Sequence, residues 1–130
     1  MLGNSYAANN DYKNALVEYD KYLKYTKEND YSGDFFMFYG KALENNNSLQ
    51  KALESYSKAI LIDSLRADHH YYKATLLFKQ KRFKLAKEYM INALDLYQKN
   101  YTYKDKYNEL YMQIYKDNIV SYMDSINKSL

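Results

Sequence analysis

Two stretches, laid one above the other, decide the architecture: Tyr39-Gly40-Lys41-Ala42-Leu43 leading to Leu49-Gln50-Lys51-Ala52-Leu53-Glu54-Ser55-Tyr56-Ser57-Lys58-Ala59, and Lys73-Ala74-Thr75-Leu76-Leu77 leading to Phe83-Lys84-Leu85-Ala86-Lys87-Glu88-Tyr89-Met90-Ile91-Asn92-Ala93. At a constant offset of 34 residues, Gly40 lies over Ala74, Leu43 over Leu77, Leu49 over Phe83, Ala52 over Ala86, Tyr56 over Met90, Ala59 over Ala93 and Ile62 over Leu96. A fixed period between about 20 and 50 residues marks a stack of supersecondary units. Small residues at 52, 59, 86 and 93 let two helices approach closely, and the long side chains at 56 and 90 fill the space between successive pairs.

The pattern extends towards the N-terminus. Leu2-Gly3 with Tyr6, then Tyr12, Ala15 and Tyr19, matches Tyr39-Gly40 with Leu43, then Leu49, Ala52 and Tyr56, at a spacing of 37. The three additional residues fit the polar stretch 28–34, which is rich in turn formers. Each unit reads as two helices joined by a polar turn: Asn9-Asn10-Asp11, Asn45-Asn46-Asn47-Ser48 and Lys79-Gln80-Lys81-Arg82. Asp11 and Ser48 are suited to cap the helices that follow. Tyr101 to Leu130 continues with apolar residues three or four apart, at Tyr107, Leu110, Tyr111, Ile114, Tyr115, Ile119, Tyr122, Met123 and Ile126. That spacing predicts a degenerate fourth pair or one long capping helix, with any break near Asp117-Asn118.

Composition agrees with an all-α chain. Among 130 residues, 47% are apolar and 27% charged, with three glycines and no proline, so few positions force a turn. No apolar run approaches the roughly 20 residues that span a bilayer. The absence of cysteine removes disulfides and thiol chemistry. A net charge of +3 and two arginines supply little for nucleic-acid binding, and the basic stretch 79–87 reads as a solvated turn and helix face. Residues 1–10 lack the basic and apolar layout of a signal peptide, which slightly favours the cytoplasm and leaves the compartment open.

The period and the small-aromatic-small triplet Ala52, Tyr56, Ala59 resemble the tetratricopeptide repeat. The resemblance implies one domain over 1–130: a short right-handed α-solenoid with helix pairs at about 1–31, 34–65 and 67–100 and a capping segment at 101–130. Three departures stand out: Tyr22 where a small residue is usual, Lys73 where an apolar one is, and no proline after any second helix.

In this family the first helix of each pair lines a concave groove, and register places Asn4, Met37, Phe38, Lys41, Tyr71, Tyr72, Thr75 and Phe78 there, with Ala7, Ala8, Asp34, Asn45, Asp68 and Lys79 beside them. An exposed, aromatic-lined groove that holds a peptide or helix of a partner protein is therefore expected. The carboxylate clamp of the chaperone-binding members is incomplete: Asn4 fits one place, but Phe38, Asp68 and Tyr72 replace asparagine, lysine and arginine.

No enzyme, cofactor or metal site is expected. Consecutive helical residues point about 100° apart, so His69 and His70 cannot share one ion as an i, i+4 pair does, and they read as one packed and one solvated histidine. The rival to a binding module is an assembly segment of a larger scaffold, its groove empty or filled by its own protein. Self-association would then run through an uncovered first pair at Leu2, Tyr6, Leu16 and Tyr19.

Overall fold

The computed structural model describes residues 2–103 and 111–130. Among these, the chain forms α-helices and no strand: α1 (Leu2–Ala8), α2 (Tyr12–Tyr25), α3 (Gly33–Asn45), α4 (Leu49–Ile62), α5 (Ala67–Lys79), α6 (Phe83–Gln98) and α7 (Lys116–Ser129), with a single 3-10 turn at Glu28–Asp30. None is long and apolar enough to cross a membrane.

The turns within the three pairs explain how a chain without proline reverses direction there. Asn10, Asn47 and Lys81 have φ of 63°, 63° and 61°. The next residue's amide then bonds back to the carbonyl five residues earlier: Asp11 to Tyr6 at 2.8 Å, Ser48 to Leu43 at 2.8 Å and Arg82 to Leu77 at 2.9 Å. This left-handed ending satisfies carbonyls a helix terminus leaves open, and asparagine tolerates it better than most residues. Asn100, with φ 67°, ends α6 in the same way, and Tyr101 N–H donates to the Leu96 carbonyl at 2.9 Å. Asp11 caps α2 by accepting from Asn14 N–H at 3.3 Å. Ser48 stands at the cap position of α4 but its side chain makes no capping bond. Ser32, which sequence pattern had not singled out, caps α3 by accepting from Phe35 N–H at 3.0 Å.

Packing follows the register. α1 pairs with α2, α3 with α4 and α5 with α6, and successive pairs stack through α2 on α3, α4 on α5 and α3 on α5. Ala52, Ala59, Ala86 and Ala93 have no exposed surface, as have Tyr56 and Met90. Within each pair, size is matched across the helix crossing. A Cβ at Gly40 would sit 2.6 Å from Tyr56 Cε1, and one at Gly3 would sit 2.6 Å from Tyr19 Cε1. Where the third pair has Ala74, its partner is the slimmer Met90.

The departures from the repeat pattern have local reasons. Tyr22 lays its ring on Phe35, centroids 4.0 Å apart, and so bridges α2 to α3. Lys73 holds its Nζ 4.2 Å from the Tyr89 ring centroid and donates to the Tyr89 hydroxyl. Both histidines are buried, contrary to the expectation of one solvated ring. His69 Nε2 lies 2.8 Å from Asp34 Oδ1 and its Nδ1 3.0 Å from the Asp63 carbonyl, while His70 Nε2 meets the Ser64 carbonyl at 2.8 Å. Tyr19 is fully buried beneath Phe35 and Tyr39, so it is no part of an open face; Leu2 is exposed, and Tyr6 and Leu16 are half-buried.

The C-terminal expectation needs correcting. Residues 101–103 and 113–115 are not helical, and α7 starts only at Lys116, with Tyr115 extended at φ −130° and ψ 151°. Tyr107 and Leu110 lie outside the described residues. Tyr111, Ile114 and Tyr115 have helical spacing, yet tertiary contacts on the concave side hold this stretch in another conformation. α7 then packs against α6 and touches α5.

Candidate functional site

The first helices α3 and α5 present one inner face, and the chain after α6 returns across it. Asn100 turns the chain back, and Ala67 N–H, an open donor at the start of α5, bonds to the Tyr101 carbonyl at 2.8 Å. Arg66 Nη1 donates to the Thr102 carbonyl at 3.1 Å and Nη2 to Asp34 Oδ2 at 3.2 Å. Tyr103 N–H donates to Asp68 Oδ1 at 2.7 Å. The rings of Tyr103 and Tyr111 both lie against Phe38, with centroids 5.4 Å away at a steep angle and 5.9 Å away nearly parallel. Tyr72 donates its hydroxyl to the Met112 carbonyl at 2.7 Å, and Tyr122 of α7 sets its edge against Tyr71 and Phe78.

The expected groove residues are therefore brought together on one side, but they are covered. Phe38, Tyr71, Tyr72 and Thr75 are buried, and Met37 has no exposed surface. Lys41 and Phe78 are half-buried. Asn4 is buried too, its Oδ1 accepting from the Tyr19 hydroxyl, so it is occupied within the first pair. Ala7 is buried, and only Ala8 of the first-pair positions is open. Register fixes which way a helical residue points; it does not reveal what lies on top of it.

Where the C-terminal ends of α3 and α5 meet is a charged knot that pattern reading missed. Glu44, one turn beyond Lys41, is buried and accepts from the Tyr56 hydroxyl at 2.8 Å and from Lys79, with Lys41 Nζ 3.7 Å away. Its signal was present, since the 34-residue frame puts Glu44 over Phe78. Burial lowers the Lys41 ammonium, partly opposed by Glu44. Burial, reinforced by Glu44, pushes the Tyr56 hydroxyl well up, and burial lifts the Tyr71 hydroxyl to about 12. Burial likewise raises Asp68 to about 6, against the pull of the Tyr103 amide. No cluster of three or more metal-ligating side chains occurs among the described residues. The arrangement offers stacking surfaces, main-chain partners and a few fixed charges, which is chemistry for holding polypeptide.

Residues 34–64 match the family described as tetratricopeptide repeat. The pair α3–α4 is a tetratricopeptide repeat. No curated protein matches the sequence. Among solved structures, the type III secretion chaperone SycD of Yersinia enterocolitica, in complex with a peptide of the translocator YopD, superposes with a TM-score of 0.76 at 17% identity, over 98% of this chain and 88% of that one. PcrH in complex with the chaperone binding region of PopD gives 0.75 at 14% identity, over 98% and 86%. The Sgt2 TPR domain from Aspergillus fumigatus gives 0.75 at 16% identity, over 97% and 72%. The fold is thus that of tetratricopeptide solenoids.

Proposed function

We propose that this tetratricopeptide chain is a protein-interaction module whose concave face, centred on Phe38, Tyr71, Tyr72 and Phe78 with Lys41 and Thr75 beside them, holds an extended, aromatic-bearing segment of a partner protein. One observation carries this reading: the face already holds non-helical, tyrosine-bearing polypeptide, gripping residues 101–103 and 111–112 through ring contacts and through bonds to main-chain groups. Main-chain bonds give affinity for any extended chain, and rings that accept aromatics select among sequences. Two proteins of like fold, SycD and PcrH, are described in complex with segments of partner proteins, which supports the same use here.

The test is a displayed random-peptide library selected against the full chain. Selected peptides should be enriched in aromatic residues and should lose binding to Phe38→Leu, which keeps bulk but not the stacking ring. Peptides indifferent to Phe38→Leu would place the binding surface elsewhere.

A second reading is favoured by the same contacts. A face filled by its own chain fits an assembly segment whose concave side is simply a second core. That reading predicts no selected peptide on this face.

A further inference from the structure

We infer that the tyrosine-bearing stretch flanking α7 on its N-terminal side, seen at residues 101–103 and 111–115, is an internal competitor that occupies the partner site and must leave before a partner segment of similar chemistry can bind. This deepens the reading above and rests on it.

Three observations support displacement over permanent core. The first is the mode of attachment. Ile114 is buried and the rings of Tyr103 and Tyr111 rest on Phe38, but every hydrogen bond described between this stretch and α5 or the turn before it uses the stretch's main chain: Tyr101, Thr102 and Met112 by their carbonyls and Tyr103 by its amide. Any extended peptide offers the same groups, so a competitor can replace the bonds one for one. The second is an incomplete fit. The Tyr111 hydroxyl is buried without a hydrogen-bond partner, and a buried hydroxyl left unpaired is held at a cost that release into water removes. The third is independence of the scaffold. The pairs α1–α2, α3–α4 and α5–α6 pack on one another by their own contacts. The small-aromatic-small core of Ala52, Tyr56, Ala59, Ala86, Met90 and Ala93 belongs to α4 and α6, and Tyr56 of this set also feels the Tyr111 hydroxyl.

The partner this implies carries aromatic residues that seat on Phe38 as Tyr103 and Tyr111 do, whereas Tyr101 points largely into solvent. Closure then sets the apparent affinity. If the face is open in one molecule in about a hundred, binding is weakened about 100-fold relative to an open face.

Opposite substitutions at one residue test this. Tyr111→Ser removes the ring that stacks on Phe38 and loosens the segment, while Tyr111→Phe keeps the ring and deletes only the unpaired hydroxyl, which tightens it. The probe is a fluorescently labelled synthetic peptide with the sequence of residues 99–115, titrated by anisotropy into the full chain and each variant after far-UV circular dichroism shows unchanged helix content. Tyr111→Ser should bind at least about 10-fold more tightly than the parent, and Tyr111→Phe about 3- to 10-fold more weakly. Should Tyr111→Ser lose helix content, Arg66→Gln, which deletes the bonds to Thr102 and Asp34, replaces it with the same expected direction.

Equal affinity for parent and both variants, with Phe38→Leu abolishing binding in each, would overturn the internal competitor and leave the partner site standing. Binding indifferent to Phe38→Leu in every background would overturn the site itself, and the competitor with it. No detectable binding to the loosened variants would show that the segment is not a ligand of this face.

Discussion

Gly40 shows how one residue sets the distance between two helices. In an exposed helix, alanine is favoured over glycine by about 1 kcal/mol. Here a Cβ would meet Tyr56 Cε1 at 2.6 Å, Tyr56 Cδ1 at 2.7 Å and the Ala52 carbonyl at 3.3 Å. The ring is fully buried, with its hydroxyl tied to Glu44, so it has nowhere to swing. Overpacking costs about 1–3 kcal/mol, and it should exceed the propensity gain. Gly40→Ala should therefore lower the urea midpoint, and a raised midpoint would show that the pair can open at no cost.

Asp68 belongs to the same scale. Burial is the first cause of its raised value, about 6 against an ordinary 3.8. A carboxyl raised on folding contributes stability that is present below its unfolded value and lost as pH rises through the folded value. Between pH 5 and 7 this amounts to about 1 kcal/mol. His70 is lowered by burial and acts in the opposite direction as pH falls, so the comparison must isolate Asp68. The stability gained from pH 7 to pH 5 should be smaller by about 1 kcal/mol in Asp68→Asn than in the parent, measured by urea unfolding at both values. An identical gain would mean that Asp68 is already hydrated when folded.

At the scale of the element, the helix ends and the helix faces were unequally legible. The polar turns could be placed from Asn9-Asn10, Asn46-Asn47 and Gln80-Lys81, because loss of apolar period and turn-forming residues coincide there. The left-handed residue in each turn is asparagine except at Lys81, whose φ of 61° is strained for a side chain that cannot bond its own backbone. Lys81→Gly should stabilise the chain by about 1 kcal/mol, read as a raised urea midpoint. No change would show that the strain is already relieved.

The stretch before α7 was misread for a physical reason. Tyr111, Ile114 and Tyr115 keep a helical spacing, and tyrosine fits extended backbone well. Tertiary bonds from Arg66, Asp68 and Tyr72 to this chain's main-chain groups decided between the two.

Across the whole molecule, periodicity revealed the stack because each core position repeats: Ala52 with Ala86, Tyr56 with Met90, Ala59 with Ala93. It also placed Phe38, Tyr71 and Tyr72 on the concave side, since that is a matter of register. Their burial could not be read from it, because the covering chain contributes once and has no period. The frame did mark Glu44, by setting it over Phe78, but not its partners Lys79 and Tyr56, which come from α5 and α4. The molecule is thus a periodic scaffold carrying one aperiodic segment across its inner face.

The occupied face is the centre of this account, and the Tyr103 amide reports on it directly, being bonded to Asp68 across the gap between segment and scaffold. The measurement is residue-resolved hydrogen exchange of the full chain, alone and with excess peptide of residues 99–115. Alone, the Tyr103 amide should exchange more slowly than in an unstructured peptide. With the peptide present its protection should fall, while amides in the middle of α4 and α6 keep theirs. Free exchange at Tyr103 in the chain alone would contradict an occupied face, and protection unaltered at saturating peptide would contradict its displacement.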